Sequence, residues 1–138
     1  MGLEDNKALV RRLNDEFWNQ GRAAVIDEAF APDFVTHNPL PGQPPGREGQ
    51  KQTITAVRAA LPDIRSTIDD LIAEGDKVVW RWTARATHQG PLMGIPPTGK
   101  QITFGGIVID RIASGQIVER WDQTDTLGLL QQLGAIPS

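Results

Sequence analysis

Up to Pro62, apolar residues return every three or four positions; beyond it they return every second position. In LEDNKALVRRLNDEFWNQG, Leu9, Val10, Leu13 and Phe17 fall on one helical face with Arg11, Arg12, Asn14 and Asp15 between them, and Gly21 stands where a helix C-cap belongs. A shorter helical pattern, RAAVIDEAF, follows and is stopped by Pro32. Val35 to Gly46, VTHNPLPGQPPG, has four prolines and two glycines, which predicts a loop. REGQKQTITAVRAALPD resumes helical spacing through Ile54, Val57 and Leu61 until Pro62 ends it. Then RSTIDDLIAEGDKVVWRWTARATHQG reads as two strands joined at EGD. In the second, Val78, Trp80, Trp82, Ala84 and Ala86 share a face that must be buried, and Arg81, Thr83, Arg85 and Thr87 share the other. QITFGGIVIDRI and QIVERWDQTD pair across ASG as an antiparallel hairpin, and TLGLLQQLGAIPS is a closing helix with Gly134 as its cap. Helices first and a meander of strands afterwards predict an α+β domain: a curved antiparallel sheet packed on three N-terminal helices, one domain over residues 1–138. Gly105 and Gly106, in mid-strand, mark the expected place for a bulge or bend.

Composition removes several functions. A net charge of -3 and a pI near 5.3 provide no basic field for a phosphate backbone, so nucleic acid is not expected as a partner. With no cysteine there is no disulfide, thiolate nucleophile or Cys-based zinc site, and His37 and His88 match no ligand spacing, so no metal is expected. GREGQK and PPTGK lack the spacing and context of a phosphate loop, and no cofactor is expected. No apolar run approaches a signal sequence or a membrane span, which predicts a soluble, cytoplasmic protein without membrane association.

The chemistry concentrates in ERWDQTD. Strand alternation sets Val118, Arg120 and Asp122 on one face and Ile117, Glu119 and Trp121 on the other. An Arg120–Asp122 ion pair would depress the aspartate's pKa and leave it a poor base; a place beside Trp80, Trp82, Phe104 and Val108 would raise it by desolvation. Trp80 and Trp82, with only Ala84 and Ala86 beyond them, leave a tapered space that suits a flat, largely apolar ligand. Asp125 reads as a helix N-cap and His88 as a turn cap. His37 is either bonded to backbone or a donor at the cavity mouth, and Asn38 before Pro39 is either a turn initiator or a ligand contact.

The stretch THQGPLMGIPPTGKQITFGGIVIDRIASGQIVERWDQTD, with LLQQLGAIP after it, resembles the SnoaL-like polyketide cyclases, a branch of the NTF2-like superfamily of α+β cones; the first helix and APDFVTHNP extend the resemblance more weakly over nearly the whole chain. The resemblance implies a general acid/base aspartate at Asp122, and an asparagine at Asn38 when a small gap is allowed. The family's histidine on the preceding strand falls on Val108, a departure from the pattern. Taken together, the expected site has Asp122 and His37 as catalytic groups and Asn38, Trp80, Trp82, Phe104, Val108 and Arg120 as ligand contacts. The expected ligand is a small apolar carbonyl compound, from which Asp122 removes a proton so that the enolate closes a ring by an aldol step. The alternatives are a ketosteroid-isomerase-like isomerase, an epoxide-hydrolase-like hydrolase with Arg120 and Asp122 activating water, and a ligand-binding protein without chemistry. The resemblance further implies a homodimer through the outer sheet face, where Ile107, Ile109 and Trp121 would otherwise lie exposed.

Overall fold

The computed structural model describes residues 2–137. Helix α1 (Leu3–Arg12) runs on into a π-helical segment, Leu13–Asn19. The wider turn brings Phe17 into the core and leaves Trp18 beside it, the two rings meeting edge to face at 4.9 Å. Helix α2 (Ala24–Ala29), strand β1 (Phe30–Thr36) and helix α3 (Gly46–Ala60) follow. Four further strands, β2 (Arg65–Glu74), β3 (Lys77–Thr87), β4 (Gln101–Ala113) and β5 (Gln116–Thr124), form the expected antiparallel meander, and α4 (Thr126–Gln132) closes the chain. The result is the α+β arrangement read from the period change: a curved, open sheet in the order β1-β5-β4-β3-β2 with helices against its concave face. None of these helices is long and apolar enough to cross a membrane.

Two features differ from the expectation. The residues around Pro32 form an edge strand, β1, which pairs parallel to β5 with Phe30 opposite Ile117 and Thr36 opposite Arg120. The sheet is therefore mixed. Proline is tolerated because β1 has a neighbour on one side only and its register shifts between Phe30 and Val35. The second difference is the bulge. The β3–β4 ladder is unbroken from Lys77–Arg111 to Thr87–Gln101, passing straight through Gly105 and Gly106. Register shifts lie instead between β2 and β3, at Ile68 and Asp70, and between β4 and β5, where Arg111 pairs Glu119 and Ile112 pairs Ile117, so that Val118 is the extra residue. This turns Ile117 into the core although Arg120 and Asp122, of opposite parity, also face inward. The glycines answer a packing need: a Cβ on Gly106 would lie 2.6 Å from the Gln123 carbonyl oxygen and 2.9 Å from the Trp82 ring. The indole lies across the space a side chain would fill.

Apolar burial falls into two clusters. One joins Val10, Leu13 and Phe17 to Phe30, Phe34, Val78 and Ile117; the other joins Leu61, Ile64, Ala84, Ile102, Phe104 and Leu129. Trp18 and Trp82 touch both. Between the clusters lies a cavity.

Candidate active site

The cavity has a volume of about 320 Å³. Strand pairing assembles its wall in rows. Trp80, Val108 and Asp122 are cross-strand neighbours on β3, β4 and β5, and the next row inward is Val78, Asp110 and Arg120. Helix α3 adds Gln50, Ile54 and Val57, while Leu40, Leu92 and Met93 stand on the loops at its rim. His88 closes the base of the loop bearing Leu92 and Met93, its Nδ1 accepting the Thr98 N–H at 3.2 Å. The Val35 to Gly46 stretch supplies Thr36, Asn38, Leu40 and Gln43 to the same opening. Trp80, Trp82, Phe104, Val108, Arg120, Asp122 and Asn38 all line the space.

His37 does not. Alternation along β1 continues past its last paired residue, so Thr36 and Asn38 turn inward and His37 turns to the outer face. Its ring stacks on Trp121 at 4.6 Å, and its Nε2 lies 2.7 Å from Glu119 Oε2. The Glu119 carboxylate also accepts from Arg111 Nε at 2.7 Å, and these two contacts, Arg111 first, hold its pKa below the usual range. His37 therefore sits on the outer surface against Trp121 and Glu119 and does not line the cavity.

The Arg120–Asp122 question has a geometric answer. Arg120 is 5% exposed and is engaged by Asp110, its direct neighbour on β4, which is fully buried. Arg120 Nε donates to Asp110 Oδ1 at 2.6 Å and Nη2 to Oδ2 at 2.9 Å, and Trp80 Nε1 donates to Oδ2 at 3.0 Å. The Phe30 and Trp80 rings lie 5.2 and 5.8 Å from the guanidinium carbon. Asp110 is nearer to Arg120 in the ladder than a residue two positions along the same strand, so it takes the fork. Asp122 is left as the one carboxylate lining the cavity among the described residues, with no ion pair or hydrogen bond to its side chain. Burial pushes its pKa above the usual aspartate value; the Arg120 charge opposes that and the Asp110 charge adds to it. Its backbone N–H donates to Asn38 Oδ1 at 2.9 Å, which fixes the amide and leaves Asn38 Nδ2 without a bond among the described residues. Asp125 caps α4 through Gly128 N–H at 3.0 Å.

Asp110 is the site residue that sequence reasoning passed over. The signal was present: it sits in step with Ile102, Phe104, Val108 and Ile112, a charge among the core-facing positions of β4. No three His, Asp or Glu side chains among the described residues converge as a metal site would need.

A helix-backed open cone around an apolar cavity, with one desolvated carboxylate in its wall among the described residues, is a fold of the NTF2-like type. The model of the SnoaL-like polyketide cyclase family matches residues 8–133, and the chain belongs to that family. It is 30% identical over 119 residues to the nogalonic acid methyl ester cyclase of Streptomyces nogalater, covering 85% of this chain and 89% of that one. Over 133 residues it is 29% identical to the aklanonic acid methyl ester cyclase DauD of Streptomyces sp. strain C5, covering 91% and 80%. Among solved structures, TsrD from Streptomyces laurentii superposes with a TM-score of 0.89 at 32% identity over 99% of both chains.

Proposed function

We propose that this chain is a cofactor-independent cyclase in which Asp122 removes a proton next to a carbonyl of a flat, apolar ligand, and the enolate so formed attacks a second carbonyl of the same molecule. One observation carries the reading: Asp122 is a carboxylate in the wall of an apolar cavity, with its natural cation already held by Asp110. Burial makes a base so placed a stronger proton acceptor than a free aspartate. The cyclase relatives give the class of reaction, and Val108, in place of a second acid/base, leaves Asp122 to carry both proton transfers. The test is exchange of the methylene protons of an aryl β-ketoester into heavy water, followed by NMR. The unsubstituted protein should accelerate it, and Asp122→Asn should remove the acceleration, a loss of roughly 10²–10⁴-fold for a positioned base. Exchange that persists in Asp122→Asn would refute the assignment, and a protein that binds the ester without exchanging it would be a binding module.

A second copy of the chain is the proposed macromolecular partner. Ile72, Val79, Ile109 and Trp121 form one apolar row across the outer face of β2, β3, β4 and β5, with Ile107 beside it. Ile72 is 61% and Ile107 49% exposed. Such a patch supports self-association.

A further inference from the structure

The base accounts for only half of an enolisation, since negative charge must gather on an oxygen somewhere in the cavity. His37 faces away, and the remaining polar lining groups, such as Thr36, Asn38, Gln50 and Thr53, are neutral. Arg120 is the one cation lining the cavity among the described residues. Asp110 occupies its Nε and Nη2; Nη1 makes no hydrogen bond among the described residues. A guanidinium can be held by one edge and still donate from another, which an ammonium cannot do with the same geometry. The Trp80 N–H fixes the carboxylate that fixes the guanidinium, and the Phe30 and Trp80 rings flank it.

We propose that Arg120 Nη1 is the donor to the ligand's developing oxyanion, and that Asp110 is the positioning residue that aims it. The inference rests on Asp122 acting as the base. The charges balance. Before reaction the cavity wall holds Arg120⁺ and Asp122⁻ around a neutral ligand, with Asp110⁻ buried behind Arg120. When Asp122 takes the proton, the C–H electron pair becomes the enolate C=C bond and the carbonyl π pair moves onto oxygen, leaving neutral Asp122 and an anionic ligand beside the same Asp110⁻–Arg120⁺ pair. Net charge in the low-dielectric site stays constant, and the negative charge moves from one carboxylate to an oxygen facing a fixed donor, so no solvent need reorganise.

The experiment uses 2-naphthol, whose neutral and naphtholate forms fluoresce differently, with naphthalene as the apolar control. Asp122→Asn stands in for the protonated base. In that variant the probe should bind as naphtholate. Adding the paired change Asp110→Asn/Arg120→Gln, which keeps both buried partners neutral and hydrogen-bonding, should weaken naphtholate binding roughly tenfold or more while leaving naphthalene affinity unchanged. Unchanged naphtholate affinity would overturn the donor role and reduce the pair to a structural one. Asp110→Asn alone, in the Asp122→Asn background, separates aim from charge. Removing a nearby negative charge would tighten naphtholate binding if Arg120 acted only as a cation, whereas loss of its clamp should weaken it. Tightening or no change would overturn the positioning role of Asp110. These results are independent of proton exchange at the β-ketoester: a protein that exchanges normally but shows no preference for naphtholate retains Asp122 as base and loses Arg120 as donor. One that binds naphtholate as described but exchanges nothing loses the base instead.

Discussion

Asp110→Asn is expected to be among the most damaging single changes outside the apolar clusters. Asp110 is fully buried, accepts three hydrogen bonds, and neutralises a guanidinium that is itself 5% exposed between two aromatic rings. An amide of the same shape offers one acceptor oxygen and no charge, so Arg120 would lose its hydrogen-bonded counter-charge in an apolar site. Removing one member of a buried pair costs about 3–5 kcal/mol, a large share of the roughly 5–15 kcal/mol that holds a domain folded. At about 3 °C per kcal/mol for a chain of this size, the melting temperature should fall by roughly 10 °C. Removing both charges together, in Asp110→Asn/Arg120→Gln, strands no buried cation and should recover most of that loss. Thermal unfolding by circular dichroism on the four members of the cycle gives the coupling directly. A double variant no more stable than Asp110→Asn would refute the reasoning, because the cost would then come from packing and not from a stranded charge.

Asp122 should show the opposite sign. Its folded-state pKa is raised by burial, so its contribution to stability is fully present below the unfolded value of about 3.9 and is lost as pH rises through the folded pKa. Asp122→Asn should therefore melt higher than the unsubstituted protein at pH 7, with the gap closing under acid conditions; a gap that stays constant with pH would contradict the desolvated carboxylate. On the outer face, Ile109→Arg places a charge in the middle of the apolar row and should convert a dimer to monomer in sedimentation without altering naphthalene binding, and a monomeric unsubstituted protein at micromolar concentration would dispose of the interface.

The period of the apolar pattern made four of the five strands and the long helices legible, because each buries one face along its whole length. β1 was hidden for a local reason. Pro32 argues against a strand wherever both neighbours must be hydrogen-bonded, and nothing in the residues shows that this strand has only one neighbour. Missing β1 also concealed the orientation of His37, which follows directly on the strand and continues its alternation. Alternation correctly grouped Arg120 with Asp122 on β5 but stopped short of the adjacent strand, and Asp110, which decides whether those two attract each other, belongs to β4. The bulge was sought at the flexible Gly105–Gly106 pair; it formed at Val118, where Ile117 gains a place in the core, while Gly106 leaves room for the Trp82 ring and Gly105 for the Trp82 carbonyl.

That bulge has a consequence for how the chain can change over generations. Side chains on either side of Val118 can be exchanged one codon at a time, since each keeps its own direction. The number of residues between the Ser114–Gly115 turn and Asp122 has no such freedom. Deleting Val118 would let the ladder close without its extra residue, and either Ile117 would leave the core or Arg120 and Asp122 would turn to the outer surface beside Ile107. Ligand preference can drift by substitution, while the length of this one segment is held to a single value by the need to keep an isoleucine and a carboxylate on the same side of the sheet.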